Sequence, residues 1–86
     1  MYYVYVLESC KNNQWYIGQS SNLKLRLKEH NDGKSIHTKR NLPWKLIFYV
    51  SFIEKSDSIR FEKYLKSGYG RKFLKNCIRD YIGVGI

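Results

Sequence analysis

Apolar and polar residues first alternate and later recur at helical spacing along this chain, and the change of period predicts its elements. Tyr2 to Leu7, YYVYVL, is dense in β-formers, with Val4 and Val6 on one strand face and Tyr3, Tyr5 and Leu7 on the other. Lys11-Asn12-Asn13 is a polar turn of hairpin type. Trp15-Tyr16-Ile17 is therefore expected to return antiparallel to the first strand, with Tyr5 and Tyr16 near one another on one face. Gly18 is expected to end that strand, since a residue without Cβ lets the backbone turn tightly or approach a ligand closely. Trp44 to Phe52, WKLIFYVSF, is the strongest strand pattern and is apolar enough to be expected at the centre of the sheet.

The segment Leu23 to His30 carries two patterns at once. Leu23, Leu25 and Leu27 alternate as in a half-buried strand, whereas in a helix Leu23 and Leu27 share a face and Leu25 points nearly opposite. A polar run, Gln19-Ser20-Ser21-Asn22, offers an N-cap before it, and Asn31-Asp32-Gly33 offers a stop after it. Helix is the reading these flanks favour, along with the good helix formers Leu, Lys, Arg and Glu. Arg26 and His30 then lie side by side along the edge of the leucine stripe, facing inward beside Tyr16 and Gly18.

A second helix is expected from Ser58 to Ser67, capped by Ser56 or Asp57 and buried through Phe61 and Leu65. Glu62 lies about 60° from Leu65 around it, where a carboxylate is half-sheltered yet reaches solvent or a metal. Glu62 and Lys66 equally form an ordinary ion pair one turn apart. Gly68-Tyr69-Gly70 is expected to break the helix. Arg71 to Tyr81 reads as a short basic helix packing through Phe73, Leu74 and Ile78, and residues 82–86 read as loosely held.

Composition adds a partner class to this outline. The 86 residues suit one small domain, of the kind that buries only roughly 60–65% of its unfolded surface, and eight Tyr, four Phe and two Trp supply large apolar area. Sixteen Lys and Arg against seven Asp and Glu give +9, which points to an anionic partner, nucleic acid first, with a solubility charge as the plainer alternative. Lys34, Lys39 and Arg40 sit in the loop Lys34 to Asn41, KSIHTKRN, which either reaches phosphates or is simply solvated. His37 in that loop has no other ligand near it in sequence and is not read as a metal site. Cys10 and Cys77 are too few for a structural zinc site or a disulfide framework, so a reduced, cytoplasmic setting is expected. A charged leader and a run of about 20 apolar residues are both missing, so no membrane partner is expected.

Tyr3-Val4-Tyr5, Tyr16-Ile17-Gly18, Arg26 and Glu62, in that order, resemble the GIY-YIG nuclease family over roughly residues 2–76. Glu29-His30-Asn31 with Gly33, then Thr38, Pro43 and Lys66, complete the resemblance. It looks closest to the small stand-alone bacterial members, which resemble the N-terminal nuclease domain of the bacterial excision-repair nuclease. Tyr3 departs from the glycine of the first motif, and no appended DNA-binding domain is expected.

The resemblance implies an α+β fold, a three-stranded antiparallel sheet flanked by helices, and it settles Leu23–His30 as helix. It implies an endonuclease that hydrolyses DNA phosphodiester bonds with one divalent cation, Mg²⁺ or Mn²⁺, with repair or recombination as its expected setting and RNA as a less expected target. Glu62 would be the single protein ligand to the metal, and Arg26 would hold the phosphate oxygens. Tyr5 and Tyr16 would position and deprotonate the attacking water, with His30 as proton relay or phosphate donor. Which of these three is the base stays open. A phenol near its ordinary pKa of about 10 needs positive charge to lower it, and Arg26 and the metal are expected to provide that. Gly18, Lys34, Lys39, Arg40, Lys66 and Asn76 are the candidate nucleic-acid contacts. A monomer is the default and a dimer the alternative. Two rival functions share these features: a catalytically idle nucleic-acid-binding module, and a protein-interaction domain using the tyrosine-rich surface.

Overall fold

In the computed structural model, which describes residues 1–82, three strands and four α-helices follow in the order β1 (Tyr2–Ser9), β2 (Trp15–Ser20), α1 (Leu23–Asn31), β3 (Trp44–Phe52), α2 (Lys55–Leu65), α3 (Gly68–Cys77) and α4 (Arg79–Ile82). A short 3₁₀ turn, Lys39–Asn41, precedes β3. The fold is α+β, as expected. Of the tail expected to be loose, Ile82 closes α4 and residues 83–86 lie outside the described residues. Among the described residues no helix is long and apolar enough to cross a membrane.

The sheet order is β2-β1-β3, all antiparallel, so β1 is central and the expectation for Trp44–Phe52 is overturned. Burial shows why. Every residue from Val4 to Ser9 is buried, because β1 is paired on both edges and covered on both faces. β3 instead is buried only at Trp44, half-buried over Leu46–Phe48 and alternately exposed and half-buried from Tyr49, which is 53% exposed on the outer side. Its apolar run counts aromatic rings that only partly pack, and a register shift opposite Val6 and Leu7 further breaks its regularity. The hairpin from β1 to β2 closes as the Lys11-Asn12-Asn13 turn predicts, with Asn13 at a φ of 63°.

Two apolar layers flank the sheet. On one face Val4, Val6 and Ile17 pack against Leu65 of α2 and Leu74 of α3, with Phe61 and Ile78 beside them. On the other face Tyr5, Leu7 and Trp44 pack against Leu23 and Leu27 of α1. Helix α1 thus uses the stripe that its spacing allows, and Leu25 is left 51% exposed. Asn22 caps it by accepting from the Leu25 N–H at 3.1 Å, and Gly33 leaves it at a φ of 76°.

The α2 and α3 boundaries differ from the sequence expectation. Helix α2 starts at Lys55 with Glu54 as N-cap residue, so Ser56, Asp57 and Ser58 already lie inside the first turn. The break falls at Lys66-Ser67, and Gly68-Tyr69-Gly70 opens α3. Ser67 is the cap, its Oγ accepting from the Gly70 N–H at 3.1 Å. Gly70 is there for proximity: a Cβ would collide with the backbone of Tyr64 and Leu65. Of the packing residues expected in this helix, Leu74 is fully buried while Phe73 stays 40% exposed.

Glu8 ties α4 to the sheet. It is buried at the end of β1, accepting from Trp15 Nε1 at 3.0 Å and from the Tyr81 hydroxyl, with Lys45 Nζ at 3.7 Å. Burial pushes its carboxyl up, but the hydrogen bonds from Tyr81 and Trp15 and the Lys45 charge outweigh that and hold it below the usual range.

Candidate active site

Strand β1 places Tyr5 directly opposite Gly18 of β2, and the phenol lies over that glycine. A Cβ at position 18 would sit 2.6 Å from Tyr5 Oη, 2.8 Å from its Cζ and 3.1 Å from Cε2 of Tyr16. Gly18 therefore does not end β2, which runs on to Ser20; it makes room for the two tyrosine rings. It is itself buried beneath them.

Behind Tyr5 stands His30, supplied by the last turn of α1 and fully buried. Its Nε2 lies 2.9 Å from the Tyr5 hydroxyl and its Nδ1 2.8 Å from Oγ1 of Thr38, which is also fully buried. The Tyr16 ring meets the imidazole edge-on at 5.1 Å between centroids and Trp44 at 6.3 Å. Both imidazole nitrogens are thus engaged within the protein. Burial, then the charge of Arg26, lower the His30 pKa against a smaller opposing pull from Glu29. Tyr5 moves the other way, pushed up to about 12 by burial, with the Arg26 guanidinium opposing and Tyr16 and Glu62 adding to the rise. Desolvation of the phenolate outweighs Arg26, so the guanidinium by itself does not lower this tyrosine.

Arg26 lies half-exposed on the same face as His30, one turn earlier in α1, with Nη1 3.2 Å from Glu29 Oε1. Its exposed side keeps the guanidinium available to a ligand.

Glu62 comes from α2, on the other face of the sheet. Its side chain is 16% exposed, with Oε2 2.9 Å from Lys66 Nζ, the i, i+4 pair that the sequence allows. Oε1 accepts from Gln19 Nε2 at 2.7 Å. Gln19 is the residue after Gly18 in β2, and its own Oε1 accepts from Ser58 Oγ at 3.2 Å. Ser58 Oγ shares its one proton with Lys55 O at 2.7 Å, and it is the accepting carboxylate of Glu62 that turns the Gln19 NH₂ toward it. The two faces meet at β2 because it is an edge strand: Gly18 carries the tyrosine cluster and Gln19 carries Glu62.

Lys34, Lys39 and Arg40 are in the loop after α1, with Lys39 and Arg40 exposed and Lys34 beside Gly33 at its start. The loop is anchored, since Ser35 and Thr38 are buried and Thr38 O accepts from Trp44 Nε1 at 2.8 Å. His37 is exposed. Asn76 faces a groove on the outer side of α3, with Tyr64 and Lys72, and is not part of the tyrosine–histidine cluster. Gln19 and Ser58 are the residues that sequence reasoning missed. Their one legible signal was a polar residue at an inward strand position beside a motif glycine. Among the described residues no three His, Cys, Asp or Glu side chains gather as a metal-ligand set, so Glu62 belongs to no such cluster. That donor suits a hard cation that keeps most of its waters.

This sheet, with a tyrosine–histidine cluster on one face of its edge strand and a sheltered glutamate on the other, matches a known class. The family model described as the GIY-YIG catalytic domain matches residues 1–76, and the chain belongs to that nuclease family. Its relatives include the UPF0213 protein YazA of Bacillus subtilis strain 168, 42% identical over 66 residues that cover 76% of this chain and 66% of YazA. The chain thus matches just under two thirds of YazA's length. The UPF0213 protein YsiG of Lactococcus lactis is 38% identical over 80 residues, 92% of this chain and 76% of YsiG. The solution NMR structure of the UPF0213 protein BH0048 from Bacillus halodurans superposes with a TM-score of 0.55 at 31% identity, covering 90% of this chain and 85% of that one.

Proposed function

We propose that this chain is a divalent-metal-dependent endonuclease that hydrolyses DNA phosphodiester bonds. The observation that carries the reading is Glu62: a carboxylate sheltered to 16% exposure, aimed at the β2 edge by Gln19 and within the electrostatic reach of Tyr5. Glu62 would hold Mg²⁺ or Mn²⁺, which when bound would stabilise charge on the phosphoryl and leaving oxygens. Lys66 Nζ neutralises the carboxylate and would yield its place, becoming free to meet a phosphate.

Arg26 would hold the non-bridging phosphate oxygens through its half-exposed fork, which remains protonated at any working pH. Tyr5 would act in its neutral form, the form that burial favours. With the imidazole proton on Nδ1 and donated to Thr38, Nε2 is free to accept from the Tyr5 hydroxyl. Tyr5 would then take a proton from the attacking water as it passes its own to Nε2, leaving hydroxide at the phosphorus and an imidazolium behind the tyrosine. The depressed pKa of His30 makes that imidazolium short-lived, so the proton returns once the leaving oxygen is ready to take it. Tyr16, against the imidazole edge, would orient the water.

The test compares wild type with Glu62→Ala on supercoiled plasmid and on labelled branched DNA, each with Mg²⁺, Mn²⁺ or EDTA. Cutting by wild type only with metal, and binding without cutting by Glu62→Ala, is the expected result. If neither protein cuts any substrate while both bind with equal salt dependence, the chain is a binding module that has kept the fold.

A further inference from the structure

A groove of about 660 Å³ lies on the outer side of α2, α3 and α4, away from the tyrosine–histidine cluster. Tyr64, which lines it, follows Glu62 by two residues and so points about 200° around α2 from that carboxylate. Three aromatic rings line this groove, and all are open to solvent: Tyr69 is 83% exposed, Tyr64 42% and Phe73 40%. Phe73 holds Tyr64 edge-on at 5.9 Å between centroids, so two of the rings form a fixed wall, and Tyr69 stands free beside them. Among the described residues every ionisable group of fixed charge lining the groove is a cation: Lys72, Lys75 and Arg79. Tyr69, Lys72 and Phe73 recur at the spacing of one helical face, so ring and charge alternate along α3.

We propose that this groove binds an unpaired nucleic-acid strand, its bases on the rings and its phosphates on the lysines and arginine. Exposed rings interleaved with cations form the platform on which unpaired bases stack, whereas bases inside a duplex already cover one another's faces. A protein partner would also cover the rings, but the cores of protein interfaces are depleted in lysine, whereas here Lys72 and Lys75 interleave with the rings along α3. The site goes beyond the nuclease reading and stands on different residues. It would give the enzyme a grip on a single-stranded tail or flap, remote from the bond being cut.

The experiment measures anisotropy of fluorescein-labelled oligo(dT) and oligo(U) of about 12 nucleotides, and of a blunt duplex, in EDTA. Wild type is compared with Tyr69→Ala/Lys72→Ala/Lys75→Ala, whose changes are all at exposed positions, and with Tyr69→Phe. Affinity of the triple variant for an unpaired strand should fall at least about tenfold, as expected for one lost stack and two lost phosphate contacts. Duplex affinity should change much less, and Tyr69→Phe, which keeps the ring, should bind like wild type. The two oligonucleotides then rank DNA against RNA. Equal binding by wild type and the triple variant overturns the site, as does no oligonucleotide binding by wild type. An equal loss on strand and duplex overturns it too, since it reports net charge alone. Plasmid cutting separates the two readings: a protein that never cuts but loses strand binding in the triple variant keeps this site and loses the nuclease.

Discussion

Tyr5 and Gly18 decide each other's identity. Any side chain at position 18 meets the phenol below van der Waals contact, and the ring sits in a paired sheet with little freedom to move aside. Gly18→Ala should therefore destabilise the fold by about 1–3 kcal/mol in urea unfolding, although alanine is the smallest possible change. Stability equal to wild type would mean the ring is mobile. His30 carries a pH dependence whose sign is fixed by its depressed pKa. The unfolded chain protonates near pH 6.5 while the folded one resists, so the unfolded state binds more protons and stability is lost as pH falls below about 6.5. Unfolding followed between about pH 7 and pH 5 should show that slope, and His30→Gln should flatten it. The carboxylate Glu8 contributes in the same direction only at lower pH, below about 4.5. The inward placement of Arg26 and His30 could be read from the Leu23/Leu27 stripe, because helical spacing fixes which side chains are neighbours. The upward shift of Tyr5 could not, since it follows from burial and not from the charges that sequence reveals.

At the scale of elements, strands and the first helix were legible because each carries its own period, cap and turn residues. Strand order was not. It depends on which strand finds partners on both edges, and the long apolar run of β3 gives no information about that. The α2–α3 junction was misread for a related reason: Gly68 and Gly70 are the same letter with different tasks. Nothing lies within 4 Å of a Cβ at Gly68, whereas at Gly70 it meets the backbone of α2. Gly68→Ala should then be neutral or stabilise α3 by up to about 1 kcal/mol through helix propensity. Gly70→Ala should destabilise by about 1–3 kcal/mol or more despite the same gain in propensity. Thermal melts of the two variants check the contrast, and equal shifts would show that close helix approach is not what Gly70 provides. Gln19 and Ser58 escaped notice because a contact between β2 and α2, 39 residues apart, leaves no local pattern.

For the whole molecule, a charge of +9 favours approach to an anionic partner. Binding to duplex DNA should weaken linearly in log–log terms with salt, by about 0.9 in slope for each phosphate neutralised. A flat salt response in a filter-binding titration would exclude phosphate contact as the source of affinity. If the proposed endonuclease acts as a monomer, one Glu62 per chain cuts one strand at a time, and nicked circles should accumulate before linear plasmid in a time course at low enzyme concentration. Linear product appearing without a nicked intermediate would require two chains acting together. The charge is spread over helices and loops, and Lys34, Lys39 and Arg40 lie on the loop that Thr38 pins to His30. Substrate held there would be coupled mechanically to the relay.

The fit of Tyr5 over Gly18 also constrains the order in which this lineage can change. A larger residue at 18 is admissible only after position 5 has shrunk, and a smaller residue at 5 removes the hydroxyl that meets His30. The two sites therefore behave as a single inherited unit, and a double-mutant cycle across them should show strong non-additivity. On the proposed mechanism the pair carries the proton path, so a bulky residue at position 18 would mark a copy of this fold without that path.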